Sequence, residues 1–440
     1  MTGVVKDRRG TSDGSVPRER VETHPGEATV PMPTITHRTT CRACGAADLE
    51  AFLRLDDMPF TDALVRRADA GAEFTAPIDL SWCRACSMVQ TQADVSVDEY
   101  YRDYRYTVSS SGFAMTFMDA LAEATMTRFG LRAGDSVLEI GSGDGAQLAA
   151  FAARGARVLG FEPASDLCRA SRDRNVPVVE LIFDETTVRE IPAAMRPAQA
   201  IVLTYTFDHL PEPRAFLDAV HAALDPARGV LVLEVHDFAR TAARRETCLL
   251  EHEHTIYPTR DSLERLLASA GFTLLCDELL PAAERRGNSL LVAAAPHGSS
   301  LAASRQAQGE DLSRFDEAAT YAQIAREIQR SRERLRRFAA DARAAGRTVG
   351  GYGAGGRGVM TLAFAGLDAG DLLCVADQNE QFHGLVLPRS HVPVVSPTEL
   401  NELAPDEIIV FSYGYIAEIR EALAEATAAG SRIWSLLELA

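Results

Sequence analysis

Two Cys-X-X-Cys pairs constrain the fold of this chain more than any other feature. They read Cys41-Arg-Ala-Cys44 and Cys83-Arg-Ala-Cys86. Each pair can grip one ion from a tight turn, and two pairs together complete a closed tetrahedral site with four sulfur ligands. Such a site has no open position for water, so the spacing predicts structural zinc. Catalysis by the metal and a redox role are the alternatives, but a redox pair usually opens a helix and does not come in two copies.

The remaining cysteines and the charge of the chain indicate where it works. The remaining cysteines lie singly in apolar surroundings, as reduced core thiols do, and this favours a cytoplasmic protein. These single residues are Cys168, Cys248, Cys276 and Cys374. A net charge of −17 without a cluster of Lys and Arg excludes a nucleic-acid partner. Because no segment is long and apolar enough to span a bilayer, we expect no membrane association, and we expect a monomer that acts on a small molecule.

Strand-like apolar runs alternate with helical patterns along most of the chain. This alternation predicts an α/β protein with a mostly parallel sheet. We predict a disordered tail over 1–36, a zinc-binding module over 37–98, a central Rossmann-like domain over 99–297 and a C-terminal Rossmann-like α/β domain over 310–440. The tail is rich in Gly, Thr, Pro, Arg and Glu without periodicity, and it cannot bury enough apolar surface to fold.

A glycine-rich turn follows the first predicted strand of the central domain. Its glycines are Gly141, Gly143 and Gly145, which gives GxGxG and not the GxGxxG of dinucleotide-binding turns. The shorter pattern is typical of methyltransferases that use S-adenosylmethionine, because glycines let the backbone approach the cofactor. Glu162 ends the next strand, where an acid can accept both ribose hydroxyls, and Glu139 precedes the turn. A tight strand-helix turn without a ligand is the alternative.

Two segments further along carry groups that can move protons. His209 follows a buried strand, at the sheet edge where α/β enzymes build their sites, although a lone histidine can also be a structural residue. The run Glu251-His-Glu-His254 places two imidazoles beside two carboxylates, which can supply a base tuned near neutral pH. The alternatives are a second metal site that uses His252 and His254, or a solvated charged turn. No further His or Cys stands at ligand spacing, so the metal reading is weak.

The C-terminal domain has a second glycine-rich turn, Val349-Gly-Gly-Tyr-Gly-Ala-Gly-Gly-Arg-Gly358. It follows a predicted strand and opens a helix, so its backbone amides and Arg357 could receive an anion such as a nucleotide diphosphate. Close packing between strand and helix is the alternative.

From Cys41 to its C-terminus the chain resembles the zinc-containing sugar C-methyltransferases of antibiotic biosynthesis, the 3-C-methyltransferases of dTDP-4-keto-hexoses. The resemblance includes the two cysteine pairs and both glycine-rich turns. It also includes the runs Tyr104-Arg-Tyr-Thr-Val-Ser-Ser110, Glu251-His-Glu-His254, Gly287-Asn-Ser-Leu290 and Ala376-Asp-Gln-Asn379. It implies a class I methyltransferase fold for the central domain, structural zinc, and a nucleotide-sugar substrate.

The resemblance also assigns roles to residues. It implies that a base removes the proton beside a ketone and that the resulting enolate carbon attacks the methyl group of the cofactor. The base would be His254, with Glu253 as an active-site acid and His209 near the reacting carbon. Further residues are assigned to the sites as follows: Tyr205 and Glu251 to the substrate pocket at the catalytic centre, Tyr106 and Ser109 to the cofactor, and Tyr352, Arg357 and Asn288 to the substrate.

The chain departs from the family pattern at several of these positions. The family has asparagine where this chain has Tyr205 and tyrosine where it has Glu251. It has Trp-Asn in place of Tyr413-Gly414 and lysine in place of Arg357. Three outcomes therefore stay open: methylation of the ketosugar carbon, methylation of oxygen, nitrogen or another carbon, and a module that binds cofactor and zinc without turnover. The added carboxylate of Glu251 would favour a hydroxyl-bearing or cationic acceptor.

Overall fold

The computed structural model describes residues 33–61, 63–96, 112–285, 288–304 and 311–440. The predicted cofactor residues Tyr106 and Ser109 lie outside these ranges, as does the predicted tail up to position 32. The end of that predicted tail, however, is ordered. Ile35–His37 forms a strand because it pairs with Ala93–Val95 in an antiparallel ladder, so the first described module begins before residue 37.

The zinc-binding module is built from antiparallel strands. Its central pair, β2 and β4, is antiparallel from Leu49 opposite Cys83 to Pro59 opposite Thr75, with register shifts after Ala51 and after Leu55. Alternate residues of β2, such as Leu53 and Leu55, are buried, as expected of a strand with one face on the core. The strands are β1 (Ile35–His37), β2 (Leu49–Pro59), β3 (Val65–Arg66), β4 (Thr75–Cys83), β5 (Val89–Thr91) and β6 (Ala93–Val95).

The central domain is a sheet of seven strands in the order β13-β14-β11-β10-β7-β8-β9. All its neighbours are parallel except the pairs formed by β14, and the interior strands are almost continuous runs of buried aliphatic residues, as a sheet covered on both faces requires. The strands from this part of the chain are β7 (Ser136–Ile140), β8 (Arg157–Phe161), β9 (Val178–Val179), β10 (Ala200–Thr204), β11 (Val230–His236), β12 (Ile256–Tyr257), β13 (Phe272–Cys276) and β14 (Ser289–Pro296). The helices are α1 (Gly112–Arg128), α2 (Ala146–Ala153), α3 (Ser165–Asp173), α4 (Pro213–Ala223), α5 (Phe238–Arg244) and α6 (Arg260–Ser269).

The C-terminal domain is a second, smaller parallel sheet with the strand order β18-β16-β15-β19-β20. The α/β class and both Rossmann-like sheets predicted from the sequence are confirmed. The strands are β15 (Val349–Tyr352), β16 (Val375–Ala376), β17 (Leu385–Val386), β18 (Val394–Val395), β19 (Glu407–Val410) and β20 (Arg432–Ser435). The helices are α7 (Ala318–Ala344), α8 (Gly356–Ala365), α9 (Pro397–Leu403), α10 (Ile416–Ala422), α11 (Ala424–Ala429) and α12 (Leu436–Leu439).

The zinc-binding module is bound to both larger domains through backbone pairing. Strand β12 belongs to the central part of the chain but pairs with the sheet of the zinc-binding module, which has the order β12-β5-β4-β2. Strand β17 of the C-terminal domain pairs with β3, and His391 lies 2.7 Å from the carboxylate of Glu73. One buried apolar cluster contains residues of all three regions, among them Leu80, Leu250 and Met360. The three regions therefore share a core.

In the part of the chain that the structure describes, no helix combines the length and the apolar character needed to cross a membrane.

Candidate active site

The four predicted zinc ligands lie together. The Sγ atoms of Cys41 and Cys86 are 3.6 Å apart, as are those of Cys44 and Cys83, and all four sulfurs lie within 4.8 Å of one another. Each pair opens a tight turn, and the backbone amide of Gly45 or Ser87 donates to the carbonyl of the first cysteine of its pair. Four converging sulfurs of this kind fit tetrahedral zinc and leave no position for a reactant, so the site is structural.

The cofactor turn connects β7 to α2 through three glycines with positive φ. Gly141 has φ of +72°, and a Cβ added to it would lie 2.3 Å from Oγ1 of Thr206. Gly143 has φ of +52°, yet a Cβ there would meet nothing within 4 Å. The first glycine is therefore required by packing against the loop after β10, while the second faces open space. This contact also places the turn next to the loop that carries Tyr205 and His209.

Glu162 closes the turn from the end of β8. Its two carboxylate oxygens accept hydrogen bonds from the amides of Gly143 and Ala164, both at 2.9 Å. Burial raises the pKa of Glu162, although these two amides oppose the shift. Each oxygen keeps a further lone pair, so the residue remains able to accept the ribose hydroxyls that the sequence pattern assigned to it.

Glu139 lies beneath the turn and is 2% exposed. Within the part of the chain that the structure describes, one of its oxygens has no hydrogen-bond partner. Burial raises the pKa of Glu139 well above its ordinary value, and the neighbouring carboxylates of Asp144 and Glu162 raise it further. A buried carboxyl with an unsatisfied oxygen beside a glycine turn fits a bound donor, such as the ammonium group of S-adenosylmethionine.

The Glu251–His254 segment is held by the zinc-binding module. The imidazole Nε2 of His252 donates to the carbonyl of Met58 at 2.8 Å, and the amide and hydroxyl of Thr61 donate to Oε1 of Glu253 at 3.2 and 3.0 Å. Two residues further on, β12 pairs with β5. His252 is thus a buried anchor, so neither a metal site of His252 with His254 nor a solvated turn describes this segment.

His254, the predicted base, is held in one orientation by a backbone carbonyl. Its Nδ1 lies 2.9 Å from the carbonyl oxygen of Leu249, which can only accept, so Nδ1 carries a proton. In the neutral ring Nε2 then carries the lone pair, and this atom lies 3.6 Å from Oε2 of Glu251. The ring is 4% exposed. The carbonyl fixes both the tautomer and the orientation of the imidazole.

Glu253 is buried, and one of its oxygens, Oε2, has no hydrogen-bond partner among the described residues. Burial raises the pKa of Glu253 to about 7, and the charge of Glu251 acts in the same direction. This carboxyl can therefore exchange a proton near neutral pH, which agrees with the acid role that the family resemblance assigned to it.

Two catalytic-type side chains that the sequence analysis missed complete the centre. Asp208 lies in the loop after β10, and His236 is the last residue of the neighbouring strand β11. Oδ2 of Asp208 lies 2.7 Å from Nδ1 of His236. The rings of His209 and His236 lie 4.7 and 4.8 Å from the ring of His254. His209 therefore contacts the predicted base. The signal for the missed pair was its position, since both residues follow the carboxyl ends of β10 and β11.

Tyr205 adopts a backbone conformation that is rare for a residue with a side chain. Its φ is +50°, at the first position after β10, and its ring lies 4.5 Å from the ring of His236. Strain of this kind is often found at functional sites. Tyr205 thus contacts the imidazole of His236, and its role at the catalytic centre stays a prediction.

Of the predicted substrate residues, Arg357 acts electrostatically on His236. It is the second residue of α8, its guanidinium stands 4.8 Å from the centre of the Tyr413 ring, and its charge contributes to lowering the pKa of His236. Tyr413 in turn donates to Glu246 at 2.6 Å. Tyr352 is instead buried at the end of β15 in the apolar core of the C-terminal domain. Asn288 is buried, and its carbonyl accepts from Asp237.

Comparison with known proteins matches the chain in three consecutive parts. A putative zinc binding domain matches residues 41–101, a methyltransferase domain matches 115–277, and a C-methyltransferase C-terminal domain matches 285–437. The C-methyltransferase NovU of Streptomyces niveus is 30% identical over 384 residues, which cover 86% of this chain and 90% of that protein.

Solved structures similar to the chain cover less of it. The 1,6-didemethyltoxoflavin-N1-methyltransferase of Burkholderia thailandensis, solved with S-adenosylhomocysteine, is 20% identical and covers 41% of this chain and 78% of its own, with a TM-score of 0.31. The CcbJ methyltransferase of Streptomyces caelestis is 15% identical and covers 46% and 96%, with a TM-score of 0.32.

Proposed function

The chain belongs to the family of the C-methyltransferase NovU, and from this membership we propose that it methylates a carbon next to the ketone of a nucleotide-linked 4-keto-deoxysugar, with dTDP as the nucleotide. It is a methyltransferase dependent on S-adenosylmethionine, with a zinc-binding module. The observation that carries the proposal is the geometry of His254, a buried imidazole whose Nε2 is left as a base and whose ring contacts His209, on the loop that packs against the cofactor turn.

His254 is the residue that removes the proton in this proposal. A carbon acid beside a ketone is weak, so its deprotonation needs a base with a fixed lone pair in a site that excludes water. The Leu249 carbonyl supplies the fixed orientation, and burial supplies the exclusion. The electron pair left on carbon spreads onto the ketone oxygen as an enolate. The proton moves to Nε2, and Glu251, 3.6 Å away, stabilises the imidazolium.

The other residues hold the reactants. Glu162, Glu139 and the glycine turn would hold S-adenosylmethionine, which supplies an electrophilic methyl group. A sulfonium needs no acid to help the sulfide leave, so alignment and proton removal are the tasks left to the protein. Glu253 belongs to the segment of the base and is held by Thr61, and His209 contacts the ring of His254; both would line the region where the acceptor binds. Tyr205 and Arg357 lie beside them, and Tyr352, Asn288, Tyr106 and Ser109 keep their assignments from the family pattern as predictions.

Several expectations of the sequence analysis are retained as part of this proposal. The division into a zinc-binding module up to residue 98, now extended at its start to include Ile35, and domains over 99–297 and 310–440 is one of them, together with a monomeric state and a cytoplasmic location. The departures at Tyr205 and Glu251 bear on which acceptor is used, and they make direct identification of the product necessary.

The test separates proton removal from methyl transfer. Purified protein is incubated with methyl-labelled S-adenosylmethionine and a panel of dTDP-4-ketosugars, and the label is located by mass spectrometry and carbon NMR. A second reaction in D2O, without the cofactor, follows exchange of the proton beside the ketone. We expect label on a ring carbon and exchange by the wild type, with exchange reduced about 10²- to 10⁴-fold in His254→Gln. The matched change His221→Gln, on the outer face of α4, should leave both rates unchanged.

Label on oxygen or nitrogen would refute the carbon assignment. Normal exchange by His254→Gln would refute the base. If cofactor binds but no ketosugar is labelled or exchanged, the protein does not act on this substrate class.

A further inference from the structure

The Asp208–His236 pair is a second positioned imidazole in the centre, and proton removal from carbon does not use it. Asp208 is 1% exposed, and its Oδ2 accepts from Nδ1 of His236 at 2.7 Å and from the backbone amide of His236 at 3.3 Å. Burial alone would raise the pKa of Asp208, but the hydrogen bond and charge of His236 hold it below its ordinary value. The carboxylate is therefore ionised and fixes the imidazole in the tautomer with the proton on Nδ1.

The second nitrogen of this imidazole is left to accept a hydrogen bond. Burial lowers the pKa of His236 to about 4, so the ring is neutral at neutral pH and Nε2 carries a lone pair. Within the described residues Nε2 has no hydrogen-bond partner, and the side chain keeps 13% of its surface exposed. The rings of Tyr205 and His254 both pack against this imidazole, with ring centres 4.5 and 4.8 Å away. An acceptor atom is thus presented next to the base.

A bound metal ion is the competing interpretation. Asp208, His236 and His254 can each offer a ligand atom, and these atoms lie within 4.8 Å of one another. However, the short contact of Asp208 with Nδ1 of His236 already forms the hydrogen bond of an ionised carboxylate with a neutral imidazole. An ion on His254 would also occupy the lone pair that the proton removal requires. The contacts therefore favour the hydrogen-bonded pair.

We propose that His236, positioned by Asp208, accepts a hydrogen bond from a hydroxyl group of the acceptor close to the carbon that His254 deprotonates, so that the substrate is a hydroxy ketone and not a fully deoxygenated ketone. The inference rests on the proposed function, because it places the hydroxyl relative to the base. It narrows the proposed substrate class from ketosugars in general to ketosugars with a hydroxyl group near the deprotonated carbon. A neutral imidazole with its lone pair on Nε2 recognises a hydroxyl donor and gains nothing from a methylene group at the same place.

The chemistry distinguishes this role from a structural one. A buried acceptor left unpaired by a deoxy substrate loses a hydrogen bond, whereas a ring that only packs against Tyr205 is indifferent to the hydroxyl. The ratio of kcat/KM for a hydroxylated ketone to that for its deoxy analogue is therefore the informative quantity, since a loss of folded protein lowers both values equally.

The experiment uses the full chain, a dTDP-4-ketohexose with hydroxyl groups at C2 and C3, and the analogues that lack one or the other. We expect the wild type to prefer the hydroxylated sugar over one analogue by about tenfold. His236→Phe, which keeps a ring beside Tyr205, should bring this ratio close to one. His236→Gln, which keeps an acceptor oxygen, should restore part of it, and Asp208→Asn should lower it by changing the tautomer. His221→Phe, a matched change outside the centre, should alter neither rate nor ratio.

An unchanged ratio in His236→Phe would overturn the inference while leaving the C-methyltransferase proposal intact. Metal analysis tests the competing interpretation. A second ion per chain, in addition to that of the four cysteines, that is lost in Asp208→Asn would show a metal site and would also overturn the inference. If the wild type neither labels nor exchanges any ketosugar, the proposed function fails first and the inference falls with it.

Discussion

Alanine at Gly141 and at Gly143 should damage the protein in different ways, although the two residues stand in the same turn. Both have positive φ, +72° and +52°, and a non-glycine residue in that region costs roughly 1–2 kcal/mol. At Gly141 the new Cβ would also lie 2.3 Å from Oγ1 and 2.9 Å from Cγ2 of Thr206. A β-branched side chain cannot rotate away easily, so overpacking adds about 1–3 kcal/mol. The expected total is about 2–5 kcal/mol for Gly141→Ala.

At Gly143 the new methyl group meets no protein atom within 4 Å, so only the conformational cost applies. The methyl group instead points into the space beside the turn where the cofactor is expected. Gly143→Ala should therefore keep most of its stability and weaken cofactor binding by about tenfold or more. Gly141→Ala should instead act mainly by lowering the free energy of unfolding.

The assay compares urea-denaturation midpoints with cofactor affinities measured by calorimetry. Thr206→Ala provides the internal check, because it deletes the two closest atoms and leaves Cβ at 3.2 Å. Combined with Gly141→Ala it should recover part of the lost stability, which a double-mutant cycle would show as a coupling energy. Equal midpoints for Gly141→Ala and Gly143→Ala, or no coupling with Thr206, would refute the packing argument.

Three further predictions concern the segment that carries the base. Thr61→Val removes the hydroxyl donor at 3.0 Å from Glu253, so the rate of methyl transfer should fall about 10- to 100-fold with unchanged cofactor affinity. Thr61→Ser keeps the hydroxyl group and should keep the wild-type rate. Equal rates for the two variants would refute the role of this contact. Cys83→Ser should lose zinc, measured by metal analysis, and with it methyl transfer, because β5 of the same module pairs with β12; a zinc-free protein with full activity would contradict this. Because the folded-state pKa of Glu253 is raised to about 7, its contribution to stability is present below pH 4.5 and is lost as the pH rises through 7. The free energy of unfolding of the wild type should therefore fall, relative to that of Glu253→Gln, by at most about 3 kcal/mol between pH 4.5 and 8. If urea denaturation shows a constant difference in this free energy between the two proteins across the range, the pKa of Glu253 is not raised.

Local patterns were sufficient for the parts of the molecule that are built from neighbouring residues. The cysteine pairs, the glycine turn and the acid at the end of the next strand are each defined within a few positions, and the structure brings them together as expected. The predicted strands of both sheets are present, including the buried runs of β10 and β11. The parallel sheet followed from the alternation of strands and helices, although the antiparallel placement of β14 did not.

Contacts between distant residues could not be predicted in this way. Asp208 and His236 are joined only because β10 and β11 are neighbours in the sheet, and a lone sequence contains no measure of which strands are neighbours. Helix α7 begins only at Ala318, although the helical pattern of the sequence reaches back to about Asp311. It follows a short turn of 3₁₀ helix at Ser313–Asp316, where Asp316 is held by Arg265 at 2.8 Å. Tertiary contacts override local propensity at such a position.

The pairing of β12 with β5 has a consequence for enzymes made by recombination between relatives. The segment with the base is encoded between strands of the methyltransferase sheet, yet its backbone partners, Val89 and Gln90, are encoded some 160 residues earlier in the zinc-binding module. A chimaera that exchanges only the central domain would join a new Glu251–His254 segment to an old support, with Met58 and Thr61 unchanged. Crossovers that preserve activity are therefore expected to transfer the metal-binding module and the methyltransferase domain as a single unit.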